Sequence, residues 1–144
     1  MYQTGTAVEV LGNACIAAII AQVIKFVYFY IAHKKINFKI FTTTGGMPSS
    51  HSAGVIALSM TVGYNEGLNS IPFAIALGYA FVVMYDACGV RRAAGKQAAL
   101  LNKLVETPGL TGVQVSEKLV EVLGHTPIQV VVGALIGFLV GIIA

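Results

Sequence analysis

The chain has 144 residues, of which 56% are hydrophobic and only 10% are charged, and its mean hydropathy is +0.80. A soluble domain needs a hydrated surface, and about a quarter of its residues are charged. Nine basic and six acidic side chains are too few to cover the surface of a soluble domain of this size. The composition therefore indicates an integral membrane protein. It excludes soluble dehydrogenases, repeat arrays and nucleic-acid-binding proteins.

Uncharged apolar stretches predict an all-α integral membrane bundle of about four transmembrane helices within a single domain, 1–144. In chain order, the spanning helices are expected over 8–32, 50–66, 71–89 and 126–144. The stretches 90–105 and 112–123 are helical in pattern but too polar to span, so we expect one or two short interfacial helices there. Strand signals are absent from the sequence.

The distribution of basic residues predicts the orientation. With four spans, the loop 33–49 and the segment 90–125 lie on the same side of the membrane, and they hold eight of the nine basic residues. These are Lys34, Lys35, Lys39, Arg91, Arg92, Lys96, Lys103 and Lys118. By the positive-inside rule, we expect this side to face the cytoplasm. We expect the membrane to be a bacterial cell membrane. The sequence pI near 9.0 is explained by topology and by attraction to anionic lipid headgroups, not by nucleic-acid binding.

Polar side chains inside apolar helices are functional candidates, because burying them in a bilayer is expensive. Lys25 shares a face of the first helix with Gln22. The alternative for Lys25 is that its ammonium group extends to the headgroups. Asp86 lies five residues before Arg91 and serves either as an interfacial ion-pair partner or in orienting a site.

Two helices are predicted to begin on the basic side, each with a histidine. Pro48-Ser49-Ser50-His51 opens the second span, and Thr126-Pro127 follows His125 at the start of the last. Helix N-termini attract anions through free N–H groups and the helix dipole. Gln129 lies one turn after His125 and can hydrogen-bond its ring.

Two histidines, two helix N-termini and the cations Arg91, Arg92 and Lys96 suit phosphoryl transfer. This reaction needs positive groups around the equatorial oxygens, an in-line nucleophile and an acid for the leaving oxygen. A neutral histidine can attack phosphorus and a second can protonate the leaving alkoxide. We therefore expect no metal and no cofactor.

These motifs resemble the type 2 phosphatidic acid phosphatase superfamily of membrane phosphatases, which is related to vanadium haloperoxidases. Pro48-Ser49-Ser50-His51 resembles its second motif, and the stretch from His125 to Val130 resembles the end of its third. The resemblance is closer still to a small divergent branch of the superfamily. It is carried by the stretches Gly45–Ala53, Tyr85-Asp86-Ala87 and Gly89–Ala98.

The resemblance implies roles for individual residues. His125 would be the nucleophile and His51 the general acid, and the phosphate would be bound by Lys25, by Arg91 or Arg92 and by the backbone amides of Ser49 and Ser50. It also implies phosphatidylglycerophosphate as the phospholipid substrate.

Gln129 stands where the main family has an acidic residue, and this departure motivates an alternative function. A neutral amide can fix the tautomer of His125 but cannot stabilise an imidazolium by charge. The alternative is a catalytically weak or inactive membrane protein that binds anionic headgroups or scaffolds an assembly. The small-residue stripes Ala14-Ala18-Ala21 and Gly133-Gly137-Gly141 serve either internal or intersubunit contacts, and we expect a homodimer.

Overall fold

The computed structural model describes residues 5–36, 40, 45–107, 118–121 and 123–143, and these residues form five α-helices with no strand among them. The helices are α1 (Ala7–His33), α2 (Ser50–Glu66), α3 (Ile71–Cys88), α4 (Val90–Glu106) and α5 (Pro127–Ile143). A helix is present at each of the four positions where a spanning helix was predicted and at the position 90–105. Their ends differ from the predictions by one residue at most.

Three helices begin where a hydroxyl side chain accepts a backbone N–H that has no partner inside the helix. Thr6, Ser49 and Ser70 are the N-caps of α1, α2 and α3, and each accepts from the N–H three residues later. Thr126 does the same for α5, accepting from the N–H of Gln129 at 3.4 Å. The predicted start of the last helix at Thr126-Pro127 is therefore confirmed.

The helix predicted over 112–123 is wrong in its described part. Residues 118–121 and 123 are not helical, whereas 112–117 and 122 lie outside the described residues. The physical reason lies in α4, because both backbone groups of Leu119 are hydrogen-bonded to the side chain of Asn102. The N–H and the carbonyl of Leu119 are therefore not available for the backbone hydrogen bonds of a helix.

Helix α2 lies at the centre of the bundle and packs against α1, α3 and α5. Contacts such as Asn13 with Thr61 and Ser59 with Ala76 show that α1 and α3 run antiparallel to it. In contrast, α5 runs parallel to α2. The core between these helices consists of alanines, so the backbones approach one another closely.

A glycine seam joins α2 and α5. Gly133, Gly137 and Gly141 recur every four residues and lie against Ser49, Ala53 and Ala57, which are also four apart. A Cβ atom at Gly137 would overlap the carbonyl oxygen of Ala53, so only glycine fits here. On α1, Ala14 and Ala18 contact Gly54 of α2 in the same manner. Both stripes thus serve internal contacts, and the predicted homodimer stays a prediction that they do not support.

The chain has the character of a helical membrane protein. Two helical runs, Ala7–His33 and Ile71–Glu106, are long and apolar enough to cross a bilayer, and Pro127–Ile143 is a shorter apolar helix. Large apolar side chains lie exposed on the outer faces of α1, α3 and α5. This is the reverse of a soluble surface and matches contact with lipid.

The bundle has one basic end, at which α1 and α3 finish and α2 and α5 begin. Lys34 and Lys35 follow α1 there, and Arg91, Arg92 and Lys96 lie on the first turns of α4. Because α2 and α5 are parallel, the N-termini of both helices lie together at this end. His51 and His125 are thereby placed on the same side of the bundle.

The glycine seam leads to a stability prediction. Gly137→Ala should destabilise the fold by about 1–3 kcal/mol, because the added methyl group must displace the backbone of α2. Gly78→Ala on α3 is the matched control, since a Cβ there has no neighbour within 4 Å. Thermal unfolding in detergent should show a lower Tm for Gly137→Ala only. A seam that tolerates alanine without loss of Tm would contradict the close backbone contact.

Candidate functional site

The site is built around a short loop that precedes α2. Gly45 and Gly46 have φ values of 106° and 83°, a left-handed backbone that glycine adopts readily, and the Met47–Pro48 peptide bond is cis. The loop turns the carbonyl of Gly46 towards α5 and lays Gly46 over the side chain of Lys25. Elements that are distant in sequence therefore meet at Gly46.

His125 is held by backbone carbonyls from two other elements. Its side chain is buried, and its backbone N–H donates to the carbonyl of Ala87 at 2.8 Å. Its ring nitrogen Nδ1 lies 3.0 Å from the carbonyl oxygen of Gly46. A carbonyl oxygen only accepts hydrogen bonds, so Nδ1 carries the proton. In the neutral ring, Nε2 is then the nitrogen with the lone pair.

Lys25 is a buried cation with no carboxylate partner among the described residues. Its side chain is 5% exposed and its methylenes pack under Gly46. The ion pairs in the described part of the chain are Arg91–Asp86 and Lys118–Glu106, and neither includes Lys25. A buried charge is costly unless it is paired, so an anion entering here would be stabilised.

Arg91 and Asp86 form an ion pair at the basic end of the bundle. The Nε of Arg91 donates to Oδ2 of Asp86 at 2.6 Å, and both side chains remain partly exposed. The charges of Arg91 and Lys25 lie close enough to act on His51. Asp86 is therefore directed to Arg91 and not to the ring of His125, and the role that this contact supports is orientation of Arg91.

Gln129 connects the starts of α2 and α5. Its Oε1 accepts from the N–H of Thr126 at 3.0 Å, and its backbone carbonyl accepts from the N–H of Ser49 at 3.1 Å. The amide of Ser49 is thus not available to a phosphate, which corrects the cradle predicted from Ser49 and Ser50. Ser50 stands at the first helical position, where an N–H has no acceptor within the helix.

An open cavity of about 410 Å³ lies next to His125 at the basic end. Its polar walls include Arg92 and Lys96 of α4, together with Glu121 and Gln129. Arg91 acts on His51, whereas Arg92 lines the cavity with His125, so the two adjacent arginines serve different parts of the site. Adjacent residues on a helix point about 100° apart, which explains this division.

The environment of His125 favours its neutral form. Burial is the main cause that lowers its pKa from the ordinary value, and the positive charge of Lys25 lowers it further. The Gly46 carbonyl and the Gln129 side chain oppose this, because both favour the protonated ring. On balance the pKa of His125 is lowered.

The structure brings together Lys25, His51, His125, Gln129 and the cations at the start of α4. Sequence reasoning missed three contributors: the carbonyls of Gly46 and Ala87, and the side chain of Asn102 discussed below. The adjacent pair Gly45-Gly46 was a usable signal, because consecutive glycines often mark a backbone that other residues cannot adopt. The carbonyl of Ala87 has no signature in the sequence.

Metal ligands do not cluster in the described part of the chain, where no group of three or more His, Cys, Asp or Glu side chains is placed to hold an ion. The predicted independence from metals and cofactors stays a prediction. The predicted roles of the individual site residues likewise stay predictions at this point.

The fold and the site define a small helical membrane protein with two histidines and several cations at one end of its bundle. Residues 6–140 match the family described as the Divergent PAP2 family. The chain is also 44% identical over 138 residues to the "Uncharacterized membrane protein YuiD" of Bacillus subtilis (strain 168), with 88% of this chain and 87% of that protein covered.

The chain therefore belongs to the Divergent PAP2 family, a branch of the phosphatidic acid phosphatase superfamily, and the resemblance seen in its motifs is confirmed. No solved structure matches it.

The electrostatics of the site yield a prediction for His125. Lys25→Met should raise the pKa of His125, because a nearby positive charge that disfavours the imidazolium is removed. Histidine NMR titration of labelled protein in micelles measures this, with the His125 signal assigned by its loss in His125→Ala. Lys103→Met, an exposed cation on the last turn of α4, is the control and should leave the pKa unchanged. An unchanged pKa in Lys25→Met would place Lys25 outside the site.

Proposed function

We propose that this chain is a metal-independent lipid phosphate phosphatase that works through a phosphohistidine at His125. The observation that carries the proposal is the buried ammonium of Lys25, which has no carboxylate partner among the described residues and acts electrostatically on a buried His125. A phosphate is the ligand that supplies the missing negative charge while presenting an electrophile. Membership of a branch of the phosphatidic acid phosphatase superfamily supports the same chemistry.

In the first step, Nε2 of His125 attacks phosphorus and forms the N–P bond while the bond from phosphorus to the lipid oxygen breaks. The hydrogen bond from Nδ1 to Gly46 leaves the lone pair on Nε2, as this attack requires. His51 gives its proton to the leaving oxygen, so that a neutral alcohol departs. Lys25 and Arg91 stabilise the charge on the equatorial oxygens.

In the second step, water attacks the phosphohistidine. His51, now neutral, takes a proton from this water, the N–P bond breaks and inorganic phosphate is released. His125 returns to its starting form, with the proton on Nδ1 still donated to the Gly46 carbonyl. Burial and the charge of Lys25 lower the pKa of His125, which favours the neutral ring that attacks.

We place the basic end in the cytoplasm and propose that four helices span a bacterial cell membrane. Most of the cations lie at this end, in agreement with the positive-inside rule. Helix α4 would then lie in the interface, with Leu100, Leu101 and Leu104 towards the acyl chains. In this arrangement the site meets lipid headgroups at the inner leaflet.

The cations fall into two groups, and this division favours a substrate with two phosphates. Lys25 acts on both histidines and Arg91 acts on His51, whereas Arg92 and Lys96 line the cavity on the α4 side of His125. A terminal phosphate monoester would react at His125 while a phosphodiester nearer the acyl chains binds Arg92 and Lys96. Phosphatidylglycerophosphate, the substrate that the family resemblance implies, carries these two groups.

The histidines give the direct test of the proposed reaction. His125→Ala should lower phosphate release from lipid phosphates by about a thousandfold or more, measured with purified protein in chelator. His33→Ala is the control, because His33 is exposed at the end of α1 and its ring stacks on Phe29. Full activity in His125→Ala would overturn the assignment of the nucleophile.

His51 can be tested by the choice of leaving group. His51→Ala should slow hydrolysis of an alkyl phosphate by about 10²–10⁴-fold, because no acid protonates the leaving alkoxide. An aryl phosphate, whose leaving oxygen needs no proton, should be much less affected. Equal losses on both substrates would contradict the general-acid role of His51.

Substrate choice is tested with Arg92→Ala combined with Lys96→Ala. Loss of each charge-assisted contact costs about 1.5–3 kcal/mol, so loss of both should raise KM for phosphatidylglycerophosphate by about a hundredfold or more. KM for phosphatidic acid, which has one phosphate, should change little. Lys103→Ala on the same helix is the control. A similar rise for both lipids would argue against a second phosphate subsite.

Substitution of Gln129 distinguishes the proposed enzyme from the alternative function, a membrane protein that binds anionic headgroups without turnover. In an active enzyme, Gln129→Glu should raise the pKa of His125 and move the acid limb of the kcat/KM profile to higher pH. Activity that appears only in the glutamate variant would favour the alternative for the natural chain. So would binding of anionic vesicles with no turnover in either form.

A further inference from the structure

The residues from Lys118 to His125 return along α4 to the start of α5, and we call them the return segment; residue 122 lies outside its described part. Its contacts follow α4 in reverse order. Leu119 lies at Asn102, the backbone of Glu121 and Leu123 lies at Gly95, and Gly124 lies at Arg92. The segment therefore brings His125 back to the cations that precede it in sequence by about thirty residues.

The return segment is bent where it lies on α4. The N–H of Leu123 donates to the carbonyl of Glu121, two residues earlier, at 3.0 Å, and both residues lie against Gly95. The contact with Gly95 thus lies between the contact with Asn102 and the contact with Arg92. A slip of one residue would move the chain by up to about 3.3 Å.

Asn102 is the one α4 side chain seen to hydrogen-bond the backbone of the described return segment. Its Nδ2 donates to the carbonyl of Leu119 at 2.9 Å and to Oε1 of Glu121 at 2.8 Å, and its Oδ1 accepts from the N–H of Leu119 at 3.0 Å. The side chain of Asn102 is buried whereas Leu119 and Glu121 are exposed, so these bonds are partly shielded from water. Asn102 thus hydrogen-bonds both the N–H and the carbonyl of Leu119, which fixes the register of the return segment on α4.

Close contacts transmit this register to the site. A Cβ atom at Gly95 would lie 2.5 Å from the carbonyl oxygen of Glu121, and one at Gly124 would lie 2.5 Å from the nitrogen of Arg92. Gly124 also has a φ of 80°, which turns the chain into the contact between His125 and Ala87. The return segment thus lies directly on the backbone of α4.

We propose that Asn102 is a positioning residue that latches the return segment to α4 and thereby sets the distance of His125 from Arg92 and Lys96. The proposal rests on the proposed function for its catalytic consequence. A misplacement of about 1 Å in an active site can cost about a hundredfold in rate, so a one-residue slip is more than catalysis tolerates.

The test compares Asn102→Ala with Asn13→Ala. Asn13 is also a buried asparagine with a side-chain hydrogen bond, to Thr61 at 3.2 Å, but it lies on α1 far from the basic end. Hydrogen exchange should show loss of protection at the Leu119 amide in Asn102→Ala and not in Asn13→Ala. This measurement needs no enzymatic activity.

Activity is measured on the same variants at a temperature where both are folded. Asn102→Ala should lower kcat about tenfold or more and weaken orthovanadate binding, while Asn13→Ala stays within about twofold of the natural chain. Asn102→Asp should also be impaired, because its carboxylate faces Glu121. Adding Glu121→Gln should restore part of the activity, because the new amide can donate to the aspartate.

The outcomes separate the two claims. An unprotected Leu119 amide in the natural chain, or equal protection in Asn102→Ala, would refute the latch whatever the activity. A lost latch with unchanged kcat and vanadate affinity would refute the positioning role. A natural chain that neither turns over lipid phosphates nor binds vanadate would refute the proposed function and the positioning role with it, and the exchange data would still decide the latch.

Discussion

Direct backbone contact between α2 and α5 is the constraint on which the rest of the structure depends. The three glycines of α5 let two parallel helices meet without intervening side chains. Parallel helices begin at the same end, so two positive helix N-termini and two histidines are brought to one surface. The same contact places the carbonyl of Gln129 within hydrogen-bond distance of the Ser49 amide, which joins the two helix starts. A larger residue in the seam would separate these groups.

The electrostatics of the site depend on cations that have no carboxylate partner in the described part of the chain. Lys25 is buried without an acidic partner in the described part of the chain, whereas Arg91 is balanced by Asp86. If carboxylates neutralised every cation, the site would not attract a phosphate. If several cations were unpaired, they would repel one another. The partial balance seen here suits a dianionic ligand. In this setting the neutral carbonyl of Gly46 accepts the hydrogen bond from Nδ1 of His125 and orients its ring.

Much of the fold could be predicted from the sequence, because the few charged residues mark the ends of the uncharged stretches that form helices. Helix limits followed from uncharged stretches and from hydroxyl caps such as Ser49 and Thr126. The groups Lys25, His51 and His125 were found because polar residues stand out in apolar helices. The return segment could not be predicted in the same way. Its conformation depends on Asn102, a residue whose partners lie 17 and 19 positions away, and no local pattern reports such contacts.

Backbone contributions were the other gap between sequence and structure. The carbonyls of Gly46 and Ala87 hold His125, but every residue has a carbonyl, so the sequence does not mark these two. The Ser49 amide was expected to bind phosphate because it stands at a helix start, and the neighbouring helix uses it instead. A helix N-terminus is therefore an anion site only where tertiary packing leaves its N–H groups free.

The most direct measurement is chemical trapping of the intermediate. Protein mixed with radiolabelled lipid phosphate is quenched in alkali within one turnover, digested and mapped by mass spectrometry. If His125 is the nucleophile, an alkali-stable, acid-labile phosphoryl group is expected on the peptide that contains His125. Turnover without any phosphorylated peptide, or with the label on another residue, would contradict it.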